Sequence, residues 1–434
     1  INDGAGFQTS DVGRVLRLLG SDGRWRTATI AARSSTTLVT IRLDDHALPD
    51  LSPISRWQFG AFSEYGGWPV TGAVYEDRLF HASTADDPLG LWGSVNADYD
   101  NHEISSPLVA DDGVSVRLTG GKLDDISWLL EMGDSLVVGT AGSLRAVGRN
   151  NDSEALSPSN FRQRAQTLAP AAFSEPVVVE NALLFLDLFE QRLYEAMYTY
   201  EVDGYLAREA SAISEHLFAA GVAEIVYLQH PHSVIVGRRY DGKLIFFTYD
   251  RANKVAGGTL VDFGGEVESI LDLPGATGTD LFVIIKRTIN GSAVRHIERM
   301  AEFWRSDYTV QDVPVYAAGA AIYDGAAVGS ILTADHLKGE TVGIWADGRD
   351  IGDAVVDNNG DFTLPGGVTA TQIVYGLRMP WQVRTMRLSQ IGNQDGSGLG
   401  RAVTIVSGMI DLFESAGIEY GAPGVVDQLR FEDE

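Results

Sequence analysis

From residue 51 to about residue 310 the chain breaks into short β-prone runs at roughly ten-residue intervals, and this punctuation limits the fold more than any other feature. Ile126–Leu130, Ser135–Gly139, Val177–Val179, Leu183–Leu186 and Glu224–Leu228 read as strands, as do Ser233–Arg238, Leu244–Tyr249, Val267–Leu271, Leu281–Lys286 and Val294–Glu298. Between them lie Met132-Gly133-Asp134, Tyr240-Asp241-Gly242-Lys243, Pro274-Gly275 and Asn290-Gly291. Asp-Gly and Asn-Gly pairs supply the positive φ angles of tight hairpins. Such a chain is all-β, and strand density by itself fits a propeller or a pair of sandwiches equally. No strict repeat of the WD40 or kelch kind is present. One helix is expected, about Glu209 to Ala220, with Ile213, Leu217 and Phe218 on its apolar side and Gly221 as its left-handed cap.

Within the stretch Trp68–Asn101, Val70–Tyr75 and Leu79–Ala82 are split by Glu76-Asp77-Arg78, which suits a hairpin. Asp86-Asp87-Pro88-Leu89-Gly90 is a turn cluster, and Leu91–Val95 returns as another strand. On either side of the body, two small β modules are expected. Residues 1–50 carry Val15–Leu18, Trp25–Ile30 and Thr36–Leu43, and Pro49 and Pro53 bracket a linker. Residues 311–367 carry Ala321–Gly325, Glu340–Ala346 and Phe362–Leu364, with a tight turn at Asn359-Gly360. Residues 368–434 add Gln372–Leu377, Arg384–Leu388, Ala402–Val406 and Met409–Phe413, then an acidic tail over Asp427–Glu434.

A chain of 434 residues suits several domains, and its 44% hydrophobic content is enough for globular cores. Cysteine is absent, so neither disulfides nor thiolate metal sites hold the fold. No apolar run approaches the roughly 18 residues of a membrane span, and no secretory signal is legible. Charge is lopsided: 33 basic residues face 59 acidic ones, a net of −26. That balance repels nucleic acid and argues against a conventional DNA-binding protein. Of the 33 basic residues 28 are Arg, the side chain suited to bidentate carboxylate pairing rather than to a diffuse positive surface.

Catalytic signatures are missing. His102-Glu103 is not followed by the second His of a zinc-protease helix, and neither a nucleophile elbow nor a phosphate-binding loop occurs. Gly392–Gly400 is glycine-rich but precedes no helix, so it reads as a loop. His230-Pro231-His232 lacks the third and fourth ligands of a metal site, and Asp357-Asn358-Asn359-Gly360-Asp361 lacks the spacing of a calcium loop and reads as a hairpin turn. The doublets Asp44-Asp45, Asp86-Asp87, Asp111-Asp112 and Asp124-Asp125 invite a glycosidase comparison, but adjacent carboxylates on a strand point to opposite faces. Neither a cofactor nor a catalytic or metal-binding residue is expected.

Several segments, taken in order, resemble the tail nozzle proteins (tail tubular protein B) of short-tailed bacteriophages. They are Asp11–Leu18, Arg78-Leu79-Phe80 with Trp92-Gly93-Ser94 and Asp98-Tyr99-Asp100-Asn101, and Ile126–Leu129 with Leu136–Gly142. Ala155–Asn160, Arg164–Thr167, Tyr200–Tyr205, Arg287–Gly291 and His296–Met300 continue the series, and Leu337–Val342 with Trp345–Gly348 resembles that family's second accessory domain. The resemblance implies a β-propeller body with small β-barrel or sandwich modules. It further implies a non-enzymatic virion protein at the distal end of the tail, made in the host cytoplasm. Such a protein forms a sixfold homo-oligomer below the adaptor and portal, carries fibres or spikes, meets a host receptor and passes double-stranded DNA. On that reading Asp111 and Asp112 are candidate channel-facing acids. The rival expectations are a carbohydrate-binding or carbohydrate-cleaving propeller, with Trp68, Trp92 and Trp128 stacking on sugar rings, and a secreted adhesion module.

Overall fold

The computed structural model describes residues 2–383 apart from 45, 106, 120–123 and 310–314, together with 409, 419–422 and 425–428. The expected strands Arg384–Leu388 and Ala402–Val406, most of Met409–Phe413, the loop Gly392–Gly400 and nearly all of the acidic tail lie outside the described residues. The chain divides into a unit Ile1–Met379 and a unit Pro380–Glu434.

The first module is a four-stranded antiparallel sheet of β1 (Val15–Leu19), β2 (Trp25–Ser35), β3 (Leu38–Leu43) and β4 (Trp57–Phe59) in the order β3-β2-β1-β4. Alternate residues Leu16, Leu18, Ala28 and Ile30 form its core, as the period of two along a strand requires. Because β4 pairs with β1, the module extends past the expected boundary at residue 50.

Five meandering antiparallel sheets follow in chain order. Blade 1 is β5 (Thr71–Tyr75), β6 (Arg78–Ala82), β7 (Gly90–Gly93) and β8 (Val114–Arg117). Blade 2 is β9 (Ile126–Met132), β10 (Ser135–Thr140), β11 (Leu144–Gly148) and β12 (Arg162–Thr167). Blade 3 is β13 (Val177–Val179), β14 (Ala182–Leu186), β15 (Leu193–Thr199) and β16 (Gly204–Glu209). After the short helix α1 (Glu215–Phe218), blade 4 is β17 (Val222–Leu228), β18 (Val234–Arg239), β19 (Leu244–Asp250) and β20 (Val255–Val261). Blade 5 has three described strands, β21 (Glu266–Pro274), β22 (Thr279–Ile289) and β23 (Ser292–Arg299).

What makes these sheets a propeller is how their middle strands are shared between neighbours. Leu136 and Val138 pack with Phe80 and Leu91 of blade 1, while Val137 packs with Leu183 and Phe185 of blade 3. In turn Leu184 and Leu186 face Ile235, Ile245 and Phe247 of blade 4. Finally Val234, Val236 and Leu244 face Leu281, Val283 and Ile285 of blade 5. Successive side chains leave a strand on opposite faces, so a strand buried on both faces must be apolar throughout. Ala182–Leu186 meets that demand with all five residues buried. The body is therefore an all-β propeller.

The helix expected over Glu209–Ala220 shrinks to α1. Glu209 ends β16, and the Ser211 hydroxyl accepts the Leu193 amide at 3.1 Å, holding the chain against β15. Ile213 is 90% exposed, whereas Leu217 and Phe218 are buried.

The second module consists of β24 (Ala317–Val328), β25 (Ser330–Ile331), β26 (Thr341–Ala346), β27 (Arg349–Val355), β28 (Phe362–Thr363) and β29 (Ala370–Arg378). β29 lies between β24 and β26, so the strand expected at Gln372–Leu377 belongs inside this module and carries it past the expected boundary at residue 367. In the unit Pro380–Glu434, β30 (Glu419–Ala422) and β31 (Val425–Gln428) form a hairpin.

Candidate functional site

The first strand of each blade lies beside the first strand of a neighbour, which makes these the inner strands of the body. Where β13, β17 and β21 converge they leave a cleft of about 800 Å³, the scale of a small-molecule or peptide site. Val178, Leu271 and Tyr227 supply apolar wall, and Glu175, Glu224 and Asp272 supply carboxylates. No Lys or Arg is among its lining residues. The Glu224 carboxylate accepts from Arg238 Nε at 2.5 Å and from the Ile270 amide at 3.0 Å, so it joins blade 4 to blade 5 rather than standing free. His230 lines the cleft, while His232 turns edge-on to Phe303.

The residues that sequence reading singles out serve the fold. Asp111 and Asp112 are split: Asp111 is exposed, but Asp112 is only 5% exposed. The Asp112 carboxylate accepts from Ser105 Oγ at 2.7 Å and the Val109 amide at 2.8 Å. Burial pushes its carboxyl up, but those donors outweigh burial and hold it below the ordinary range. Asp112 therefore faces into its own loop, whereas Asp111 faces outward. Two acids of the other doublets are held by neighbouring side chains. Asp44 accepts from Thr29 and pairs with Arg42, and Asp87 pairs with Arg117. Asp357 closes its turn by accepting the Asn359 and Asp361 amides at 2.8 and 2.9 Å. Among the described residues no three His, Asp or Glu side chains gather in metal-binding geometry.

The three tryptophans do not form a stacking platform. Trp128 is 1% exposed, lies over Gly139 and contacts Phe185 in the seam between blades 2 and 3. Trp92 is half-buried against Phe62, and only Trp68 presents a largely exposed ring.

The role of one structural side chain, Arg78, is not legible in the sequence. Glu76 and Asp77 make the β5–β6 turn with φ of 46° and 55°, and Arg78 begins β6 as a buried residue. Its guanidinium donates to the carbonyls of Ser94 (2.6 Å), Asp112 (2.7 Å), Ala110 (3.0 Å) and Leu156 (3.3 Å). Burial lowers its proton affinity, and the charges of Asp111, Asp112 and Glu76 oppose that shift. Arg78 thereby ties the Asp111 loop to blade 2. Only the apolar neighbours Leu79 and Phe80 hint that this Arg lies inside a strand.

No protein-family model and no curated protein matches this chain. Among solved structures it is similar to Citrobacter koseri AztD at 12% identity and TM-score 0.34, covering 88% of this chain and 91% of that one. It is similar as well to the Myceliophteria thermophila Cps50 (Swd1) β-propeller domain at 10% identity and TM-score 0.32, covering 65% and 85% respectively. Neither likeness bears on function, and the propeller assignment stands on this chain's own blades.

Proposed function

We propose that this chain is a structural protein of a short-tailed phage tail, of the nozzle type, acting as a ring of copies around the path of ejected DNA. One observation carries the reading beyond the family-like segments: most described cations already have a partner within the chain. Arg164, Arg238, Arg239, Arg287, Arg295 and Arg378 all pair with carboxylates. Arg78 and Arg145 are held by backbone carbonyls instead. The excess acid behind the net charge of −26 is then left without a basic track for phosphate, and a duplex near such a wall is repelled rather than held.

The cleft of about 800 Å³ within one chain suits a small ligand or chain segment, so the conduit in this reading is the space enclosed by several copies. Asp112 and Asp357, each occupied by its own loop, fit a mechanical role better than an acid–base pair. Asp111 remains a candidate for the channel wall.

The test is electron imaging of the chain mixed with portal–adaptor tail cores. A sixfold ring at the distal end is the expected result. Chains that ignore the cores and bind a glycan array would replace this reading with the carbohydrate one.

A further inference from the structure

The outermost strands of the blades differ in one respect. Arg117 ends β8, Arg162 and Arg164 stud β12, Arg208 and Glu209 end β16, and Arg295, Glu298 and Arg299 lie on β23. By contrast β20 reads Val-Ala-Gly-Gly-Thr-Leu-Val, with no charge and no proline. It pairs with β19 along one edge only, and among the described residues no strand covers the other. Nearly all of it is exposed, including Val255 at 46% and Leu260 at 38%. An uncharged, open strand edge is a template for pairing, and proteins that stay apart protect such edges with charge or proline.

We infer that β20 is an interface between two copies of this chain, each adding its strand antiparallel to the other about a twofold axis at Gly258. Charge complementarity selects the partner and the register. With Gly258 opposite itself, Val255 faces Val261, Ala256 faces Leu260, and Lys254 of each copy faces Asp262 of the other. Lys254 is exposed and makes no ion pair among the described residues, whereas Asp262 holds Lys243 at 3.1 Å and has its outer side exposed. Two chains of net charge −26 repel each other, and a neutral strand flanked by one cation and one anion adds nothing to that repulsion. Such a contact is isologous. It goes beyond the tail reading and does not depend on it.

Sedimentation velocity of the purified full chain at micromolar concentrations tests the contact. A reversible monomer–dimer equilibrium is expected. Lys254→Glu places like charges opposite one another twice and weakens the dimer about tenfold. Combining it with Asp262→Lys restores the opposite-sign pairs and most of the affinity. Gly257→Lys puts a charge mid-strand where an added Cβ meets nothing within 4 Å, so the variant keeps its thermal melt and becomes monomeric. A wild-type chain that stays monomeric overturns the interface, as does a dimer indifferent to Gly257→Lys. A dimer weakened by Lys254→Glu but not rescued by the double exchange overturns the register. None of these outcomes alters what imaging on tail cores reports, so the ring and the strand contact stand or fall separately.

Discussion

Between blades 1 and 2, the apolar contact of Phe80, Leu91, Leu136 and Val138 is bordered by polar groups. Arg78 reaches Leu156 O, Glu76 pairs with Arg149, and Tyr75 Oη donates to Asp134 O at 2.7 Å. Between blades 3 and 4, the apolar set includes Leu184, Leu186, Phe218, Ile235, Ile245 and Phe247, and its polar border is made by side-chain pairs, Glu195 accepting from Tyr249 and Glu190 from Tyr240 at 2.6 Å. The first seam depends on direction, because a guanidinium satisfies several carbonyls only from one position. The second depends mainly on volume, because dispersion and burial are not directional. Substitutions should expose that difference.

Phe247→Ala is expected to have the largest effect, about 3–5 kcal/mol in denaturant unfolding, whereas Phe247→Leu keeps most of the volume and loses less than half as much. Arg78→Met should cost about 3 kcal/mol, because buried carbonyls of Ser94, Asp112 and Ala110 lose a charged donor. Arg78→Lys should recover little, since an ammonium is a point rather than a fork. If Arg78→Lys were as mild as Phe247→Leu, the contrast between a directional and a volumetric seam would fail.

Asp112→Ala should cost about 1–2 kcal/mol by freeing the Ser105 hydroxyl and Val109 amide. At the exposed neighbour, Asp111→Lys should stay within about 0.5 kcal/mol. In the tail reading only Asp111→Lys then slows DNA ejection without touching assembly, and unchanged ejection would remove Asp111 from the channel wall.

The smallest effect should be a pH dependence on the outer side of blade 1. His81 and His102 lie 5.4 Å apart between ring centroids, packed with Phe62, and His102 Nε2 has no hydrogen-bond partner among the described residues. Burial lowers both imidazole pKa values, and for His102 the neighbouring His81 adds to the shift while Asp100 opposes it. The unfolded chain therefore binds these protons first. Their contribution to stability is fully present above about pH 6.5. It is lost as the pH falls from there through the depressed folded values. His81→Phe should flatten that slope in melts taken between neutral and mildly acidic pH. An unchanged slope would show that the buried His81 imidazole does not contribute to this pH dependence.

Strand density and the Asp-Gly and Asn-Gly turns determine from sequence alone that this chain is all-β, because hairpin geometry is a local property of a few adjacent residues. Doubly buried strands such as Ala182–Leu186 are legible for the same reason, since every side chain along them must be apolar. The helix at Glu209–Ala220 fails as an expectation because Ser211 is held by the distant Leu193 amide, a contact no local pattern contains. Module boundaries shift likewise, with Trp57–Phe59 and Ala370–Arg378 joining sheets through long-range pairing. Only the tertiary structure decides which polar side chains are inside. It turns Asp112 inward and Asp111 out, makes Arg78 a clamp instead of a turn residue, and buries Trp128 in a seam. Burial of a charged or aromatic group depends on which carbonyls and rings converge from remote parts of the chain, and that convergence is a property of the packed blades rather than of any one segment.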